Sequence, residues 1–100
     1  MISRGCTIEN TFSFPFLREH IDKLYITYQQ CNRTIIEKEL KDCEFRDGII
    51  AVGLSQEETL KCKTGLPISI QIRLKLIDGN ATKSNIIKTT ADAVLKDGVI

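Results

Sequence analysis

Apolar and polar residues alternate strictly along residues 68–76 of the chain. Apolar side chains occupy every second position: Ile68, Ile70, Ile72, Leu74 and Leu76. A period of two places them on one face of an extended strand, whereas a helix would scatter them around its circumference. The pattern therefore predicts a long strand, Ile68–Asp78, with one buried face, at the centre of a sheet.

Shorter segments with the same period precede this strand. Gly5–Phe16 predicts a first strand that Pro15 stops, with a bend or a change of sheet at Asn10, which interrupts its apolar side. Leu17–Asp22 has helical spacing and predicts one or two helical turns. Lys23–Gln30 predicts a second strand. Its inward residues are Leu24, Ile26 and Tyr28, and its outward residues are Lys23, Tyr25 and Thr27.

The middle of the chain predicts a return strand and a hairpin. After a short connection at Cys31 and Asn32, Arg33–Leu40 predicts a return strand, and its many charges suit the edge of a sheet. Cys43–Arg46 and Ile49–Leu54 flank Asp47-Gly48, a strong hairpin signal. We expect Ile50, Val52 and Leu54 to point inward.

A helical turn is predicted after the hairpin, because Ser55 and Glu58 have the spacing of a capping box. A turn at residues 78–80 then leads into Ser84–Thr90, which predicts a final strand with Ile86 and Ile87 inside. The pattern of residues 91–100 leaves two alternatives open, an extension of that strand or a terminal helical turn.

These elements predict an all-β fold, an immunoglobulin-like antiparallel β-sandwich of about seven strands with one short helical turn. The 100 residues suffice for one domain, residues 1–100. The chain has no tryptophan and lacks the cysteine pairing of antibody domains, so the prediction concerns the architecture alone.

Composition argues against several classes of partner. The chain has 14 basic and 13 acidic side chains, so it carries no strong net charge that would attract nucleic acid or an anionic membrane. No apolar run approaches the ~20 residues that span a membrane. The sequence contains no glycine-rich phosphate loop. We therefore expect no nucleic-acid partner, no membrane partner and no cofactor.

The four cysteines do not predict a metal site or disulfides. Cys6, Cys31, Cys43 and Cys62 are all at least 12 residues apart, whereas zinc ligands come in close pairs. The N-terminal residues have no long apolar stretch of the kind that a secretory signal contains. We expect free cysteines, buried or half-buried, in a reducing cytoplasm.

Two residues could carry chemistry, and both have a simpler interpretation. His20 has Glu19 and Asp22 nearby in the sequence, but they lie on a turn that is expected to be solvated, so His20 is interpreted as a surface residue. Cys62 lies between two lysines, which can activate a thiol, but it is interpreted as a loop cysteine flanked by surface lysines. The sequence predicts no catalytic residues and no enzyme.

Tyr25 is the candidate contact residue. It lies on the outward side of its strand, and tyrosine is enriched in protein interfaces.

Three stretches together resemble a group of short phage and prophage proteins of gut Firmicutes that are encoded near virion structural genes. They are Arg4-Gly-x-Thr7 leading to Thr11-Phe-x-x-Pro-Phe16, the turn Leu54-Ser-Gln-Glu-Glu-Thr-Leu60, and the ending Leu95-Lys-Asp-Gly. The resemblance covers nearly the whole chain. It implies a small structural or adaptor protein of a phage particle and supplies no site residues.

Two functions are compatible with these observations. The leading hypothesis is a non-enzymatic structural or adaptor module, associated with a prophage virion, that binds itself or other phage structural proteins. The alternative is a β-sandwich that binds a carbohydrate or another host-surface ligand through aromatics such as Tyr25.

Overall fold

The computed structural model describes residues 1–100 and contains eight β-strands, two 3₁₀ turns and one short α-helix. The strands are β1 (Ile8–Ser13), β2 (Ile21–Gln30), β3 (Arg33–Glu39), β4 (Cys43–Arg46), β5 (Ile49–Leu54), β6 (Ile68–Leu76), β7 (Ala81–Lys83) and β8 (Ile87–Thr89). The 3₁₀ turns are Arg18–His20 and Leu40–Asp42, and the helix, α1, is Gln56–Leu60.

The strands form two antiparallel sheets. The small sheet has the order β1-β5-β4, and the large sheet has the order β3-β2-β6, with β7 and β8 both pairing with the far side of β6. The predicted fold class, an all-β sandwich, is confirmed. The likeness to immunoglobulin domains is one of architecture, because β1 pairs with β5, whereas the first strand of an antibody constant domain neighbours the second.

The core lies between the sheets and is organised around β6, as predicted. Ile68, Ile70, Ile72 and Leu74 are buried, and the inward residues of β2 and β5 pack against them. β6 has paired strands on both sides, so its prediction as a central strand is confirmed. It ends at Leu76, two residues earlier than predicted, and Ile77 is exposed.

Two hairpins form where the sequence places them. The loop residues Asp47 and Gly48 both have positive φ, as do Cys31 and Asn32 between β2 and β3. Positive φ at both central residues defines the type I′ turn, whose twist matches that of paired strands. β3 lies at an edge of the large sheet, as its charges predict.

The prediction of a bend or change of sheet at Asn10 is wrong. β1 runs without interruption through Asn10 and pairs with β5 along its whole length. The polar side chain is accommodated on the inward side because its amide donates a hydrogen bond of 2.6 Å to the hydroxyl of Tyr28. β1 is also shorter than predicted, since residues 5–7 and 14–16 lie outside it.

The prediction for the last strand is correct only in part. β8 lies within the predicted residues 84–90 and pairs back with β6, but residues 84–86 lie outside it and a separate short strand, β7, precedes them. Ile86 and Ile87 are exposed: Ile86 borders the outer face of the large sheet, and Ile87 shares the side of Ile70 but is 40% exposed at the sheet edge. Residues 91–100 form neither a longer strand nor a helical turn, although Ala91 makes isolated bridges to Ile2 and Thr64.

The predicted helical turns are present. The capping box is complete, with Ser55 Oγ accepting from the Glu58 N–H at 3.2 Å and Glu58 Oε1 accepting from the Ser55 N–H at 3.0 Å. Between β1 and β2 a single 3₁₀ turn forms, and β2 begins at Ile21, before the predicted Lys23.

Candidate contact surface

Tyr25 lies on the outer face of the large sheet, where the alternation in β2 placed it. Its side chain is 38% exposed. In the register of the sheet it is opposite Glu39 of β3 on one side and Arg73 of β6 on the other. Tyr25 therefore lies between a negative and a positive side chain, near the middle of the sheet.

This face contains a shallow depression of about 450 Å³. It is lined by Tyr25, Thr27, Gln29, Glu37, Ser69, Gln71, Arg73 and Ile86. Most of these residues are the outward members of β2 and β6, and they supply hydroxyl and amide groups to its floor. We define this depression as the Tyr25 face.

The wall opposite β3 forms where the chain bulges between β7 and β8, with three residues, 84–86, opposite two residues of β6. The Ser84 N–H donates to the Ile72 carbonyl at 2.8 Å, and Ser84 Oγ accepts from the Ile72 N–H at 3.0 Å. The Gln71 side chain donates to the Ser84 carbonyl at 3.1 Å. These contacts fix residues 84–86, so that Ile86, 59% exposed, borders the depression.

On the outer face of the large sheet, acidic side chains lie on the edge strand β3 and basic side chains lie towards the opposite edge. Glu37 and Glu39 lie on β3, whereas Arg73 and Lys75 lie on β6, and Lys83 of β7 is in register with Arg73. Tyr25, Thr27 and Gln29 of β2 separate the two signs, and Lys23 at the start of β2 adds a positive charge beside Lys75. A partner with acidic and basic side chains on opposite sides would complement this arrangement.

Cys62 does not have the surroundings of an activated thiol. The prediction of a loop cysteine flanked by surface lysines is confirmed, since Cys62 lies in the loop after α1 between the exposed Lys61 and Lys63, but its own side chain is buried in the core. Burial raises the pKa of the Cys62 thiol, and the nearby Arg4 guanidinium lowers it only in part. A thiol with a raised pKa stays protonated and is a poor nucleophile at neutral pH.

The other three cysteines are also free, but the prediction that the cysteines are buried or half-buried is wrong for Cys6 and Cys31, which are exposed on turns. Burial raises the pKa of Cys43 to about 11, and its Sγ donates to the Glu39 carbonyl at 3.3 Å.

His20 lies on an exposed 3₁₀ turn, 3.9 Å from the carboxylate of Glu19. The structure brings no third catalytic group to this pair. No group of three or more histidine, cysteine, aspartate or glutamate side chains has the geometry of a metal site. None of the helical segments is long and apolar enough to cross a membrane.

The sequence predicted Tyr25 as a contact residue but did not predict the depression around it. The alternation of apolar and polar residues predicts the outward positions of β6, such as Gln71 and Arg73. The contribution of Ile86 could not be predicted in this way, because its position depends on the bulge of residues 84–86 at the edge of β6.

Comparison with known proteins identifies no relative. No protein-family model, curated protein or solved structure matches this chain.

Proposed function

We propose that this protein is a non-enzymatic structural or adaptor module that acts through protein–protein contacts, with the Tyr25 face as a contact surface. The observation that carries the proposal is the position of Tyr25, half-exposed between Glu39 and Arg73 on an open sheet face. Tyrosine and arginine supply much of the binding energy in protein interfaces, because each combines apolar area with polar groups.

The proposed setting is a prophage virion, or the cytoplasm of the bacterial host in which virions assemble. It is supported by the resemblance of residues 4–16, 54–60 and 95–98 to short phage proteins encoded near virion structural genes. The proposed partners are other copies of the chain or other phage structural proteins.

The test combines light scattering over a range of protein concentrations with pull-down of the products of neighbouring genes. If the proposal is right, the protein self-associates or captures one of these products, and Tyr25→Ala weakens the contact at least tenfold. Ile77→Ala is the matched control, because Ile77 is a large exposed residue outside the Tyr25 face. A strictly monomeric protein that captures none of these products contradicts the proposal.

The second candidate function is binding of a carbohydrate or another host-surface ligand. The concave shape of the Tyr25 face favours it, as do the amides of Gln29 and Gln71 and the hydroxyls of Thr27 and Ser69 beside the tyrosine ring. A glycan array, followed by titration of Gln29→Ala against the positive glycans, tests this function. An array without binding removes it.

A further inference from the structure

The outer face of the large sheet carries a compact group of basic side chains at the end where β2 begins. The register of β2, β6 and β7 arranges six outward positions in two rows of three. Lys23, Lys75 and Ala81 form one row, and Tyr25, Arg73 and Lys83 form the other. Four of the six side chains are cationic, and we define these six residues as the basic patch.

Two pairs of like charges face each other across the basic patch. Lys23 is in register with Lys75, and Arg73 is in register with Lys83. Directly opposite residues of antiparallel strands share a face, with their Cβ atoms about 4.5–5.5 Å apart, so like charges in such pairs destabilise a sheet. The basic patch therefore lowers the stability of the protein, and an anion bound among the four cations would offset this effect.

No acidic side chain of the protein neutralises the basic patch. All four cations are exposed, and the ion pairs of the chain join other residues. Two acidic residues adjoin the patch, Asp22 before Lys23 in the sequence and Glu39 opposite Tyr25 in the sheet. Neither forms an ion pair with the patch, and the Glu39 carboxylate lies 3.7 Å from the amino group of Lys41. The countercharge therefore has to come from outside the chain.

The basic patch surrounds a depression because one of its six side chains is small. The depression has a volume of about 180 Å³ and is lined by Lys23, Tyr25, Arg73, Leu74, Lys75 and Ala81. Ala81 has no side-chain atom beyond Cβ, so it leaves a gap opposite Lys75. Pockets for drug-sized ligands have volumes of about 300 Å³ or more, so this depression fits one small group of a ligand.

The depression adjoins the Tyr25 face, with which it shares Tyr25 and Arg73. The next outward pair along β2 and β6, Thr27 and Gln71, is neutral and polar. A ligand with its charged group in the basic patch can therefore place its uncharged part on the tyrosine ring, beside amide and hydroxyl groups.

We propose that the basic patch binds the phosphate monoester group of a small soluble ligand. Such a group carries about −1.5 to −2 charges at neutral pH and has three acceptor oxygens, so several cations can donate to it at once. Arg73 would supply a planar pair of N–H donors, and Lys23 and Lys75 would supply charge from the other row. A carboxylate has a single charge and would leave most of the patch unneutralised. This inference goes beyond the proposed role in protein contacts and does not depend on it.

NMR titration of the protein with inorganic phosphate and with glucose 6-phosphate tests the proposal. Sodium chloride at equal ionic strength and glucose are the matched controls, because neither has a doubly charged group. We expect saturable shifts of the amides of residues 23–25, 73–75 and 81–83 with both phosphates and with neither control.

A pair of lysine variants separates the basic patch from the general charge of the protein. Lys75→Gln should weaken phosphate binding about three- to tenfold, as expected for one exposed cation that donates to an anion. Lys88→Gln is the matched control and should bind as the wild type does. Lys88 is exposed on the same outer face, opposite Ser69, and lies outside the patch.

Unfolding temperatures at low ionic strength provide a second measurement. Ala81→Glu places a carboxylate inside the patch, so it should raise the melting temperature and abolish phosphate binding. Ala81→Gln has nearly the same size without the charge, and its melting temperature should stay near that of the wild type. Without phosphate, Lys75→Gln should also raise the melting temperature, because it removes a pair of like charges. A purely structural role of Lys75 would not combine higher stability with weaker binding.

Four results would overturn the proposal. The first is a phosphate titration that shifts no more amides than chloride does. The second is a loss of binding in Lys88→Gln as large as that in Lys75→Gln, and the third is unchanged binding in Ala81→Glu. The fourth is binding to phosphatidylcholine vesicles that contain phosphatidic acid, with no response to glucose 6-phosphate, which would favour a lipid headgroup.

This proposal and the proposed function can fail separately, because Lys75 and Ala81 lie outside the Tyr25 face. A phosphate response that Lys75→Gln weakens, in a protein that neither self-associates nor captures a partner, supports the phosphate site alone. A contact that Tyr25→Ala weakens, in a protein that does not respond to phosphate, supports the contact role alone.

Discussion

The side-chain amide of Asn10 on β1 donates a hydrogen bond of 2.6 Å to the hydroxyl of Tyr28 on β2, across the interior of the sandwich. The Asn10 amide and the Tyr28 hydroxyl both lie next to apolar core side chains, and each provides the hydrogen-bond partner that the other needs. The contact therefore fixes how the small sheet sits on the large one, because a displaced sheet would leave both groups without a partner.

Replacing Asn10 with valine should destabilise the protein by about 1–3 kcal/mol, because the Tyr28 hydroxyl then loses its partner. The double variant Asn10→Val/Tyr28→Phe should be more stable than Asn10→Val alone, since both polar groups are gone. Urea unfolding of the two single variants and the double variant measures the coupling. A double variant less stable than Asn10→Val would show that the bond does not have this role.

Alkaline pH should unfold the protein partly through Tyr28. Burial, only partly offset by the Asn10 hydrogen bond, raises the pKa of Tyr28 to about 12. The unfolded chain loses this proton near its ordinary pKa of about 10, so a contribution that is complete below pH 10 is lost as the pH rises towards 12. The loss should reach about 2–3 kcal/mol.

Urea unfolding between pH 8 and pH 12 measures this loss, and Tyr28→Phe should flatten the curve above pH 10. Cys43, with a pKa raised by burial to about 11, acts in the same direction at slightly lower pH. The comparison is therefore made in a Cys43→Ala background. If the unfolding free energy of Tyr28→Phe falls with pH as steeply as that of the wild type, groups other than Tyr28 cause the loss of stability at alkaline pH.

Among the polar side chains near α1, we expect removal of Gln30 to cause the largest loss of unfolding free energy. It is buried at the end of β2, donates to the carbonyls of Lys63 at 2.9 Å and Leu66 at 3.1 Å, and accepts from the Lys63 N–H at 2.7 Å. Gln30→Ala leaves three backbone groups without this partner, so we expect a loss of about 2–4 kcal/mol. The exposed neighbour provides the control, since Gln29→Ala should change stability by less than about 0.5 kcal/mol.

Glu58 should stabilise the protein only while it is ionised. Burial raises its pKa, but hydrogen bonds from Lys38 and Ser55 outweigh this effect, so the pKa lies below its ordinary value. The lowered pKa means that its contribution is present above the ordinary glutamate pKa of about 4.3 and is lost as the pH falls through the folded value.

Glu58→Ala should therefore cost about 1–2 kcal/mol at pH 7, through loss of the helix cap and of the 2.7 Å ion pair with Lys38. The difference from the wild type should shrink in acid, as thermal unfolding at a series of pH values would show. Glu57→Ala, one residue away and exposed, should behave as the wild type does. A pH-independent difference would mean that the charge of Glu58 has no role.

Much of the fold follows from local features of the sequence. The alternation in residues 68–76 requires one buried face, the Asp47-Gly48 pair supports a tight hairpin turn, and Ser55 with Glu58 caps a helix. Each of these features acts through residues within a few positions of one another, through backbone geometry or a short-range hydrogen bond. Such signals depend little on how distant strands pair.

Other features depend on distant partners and could not be predicted from the pattern. Asn10 suggests a bend until Tyr28 is known to lie opposite it, and nothing in the local sequence shows that the side chain of the loop residue Cys62 enters the core. Ile86 and Ile87 resemble core residues in the sequence but are exposed in the fold.

The sequence by itself therefore determined the central strand β6, the two hairpin turns and the outward position of Tyr25, because backbone geometry and a period of two act locally. Only the tertiary structure decided that β1 pairs with β5, that the small sheet is one strand narrower than the large one, and that Ile87 remains uncovered. The physical reason is that burial and strand pairing depend on which segments, far apart in the chain, come to lie against each other.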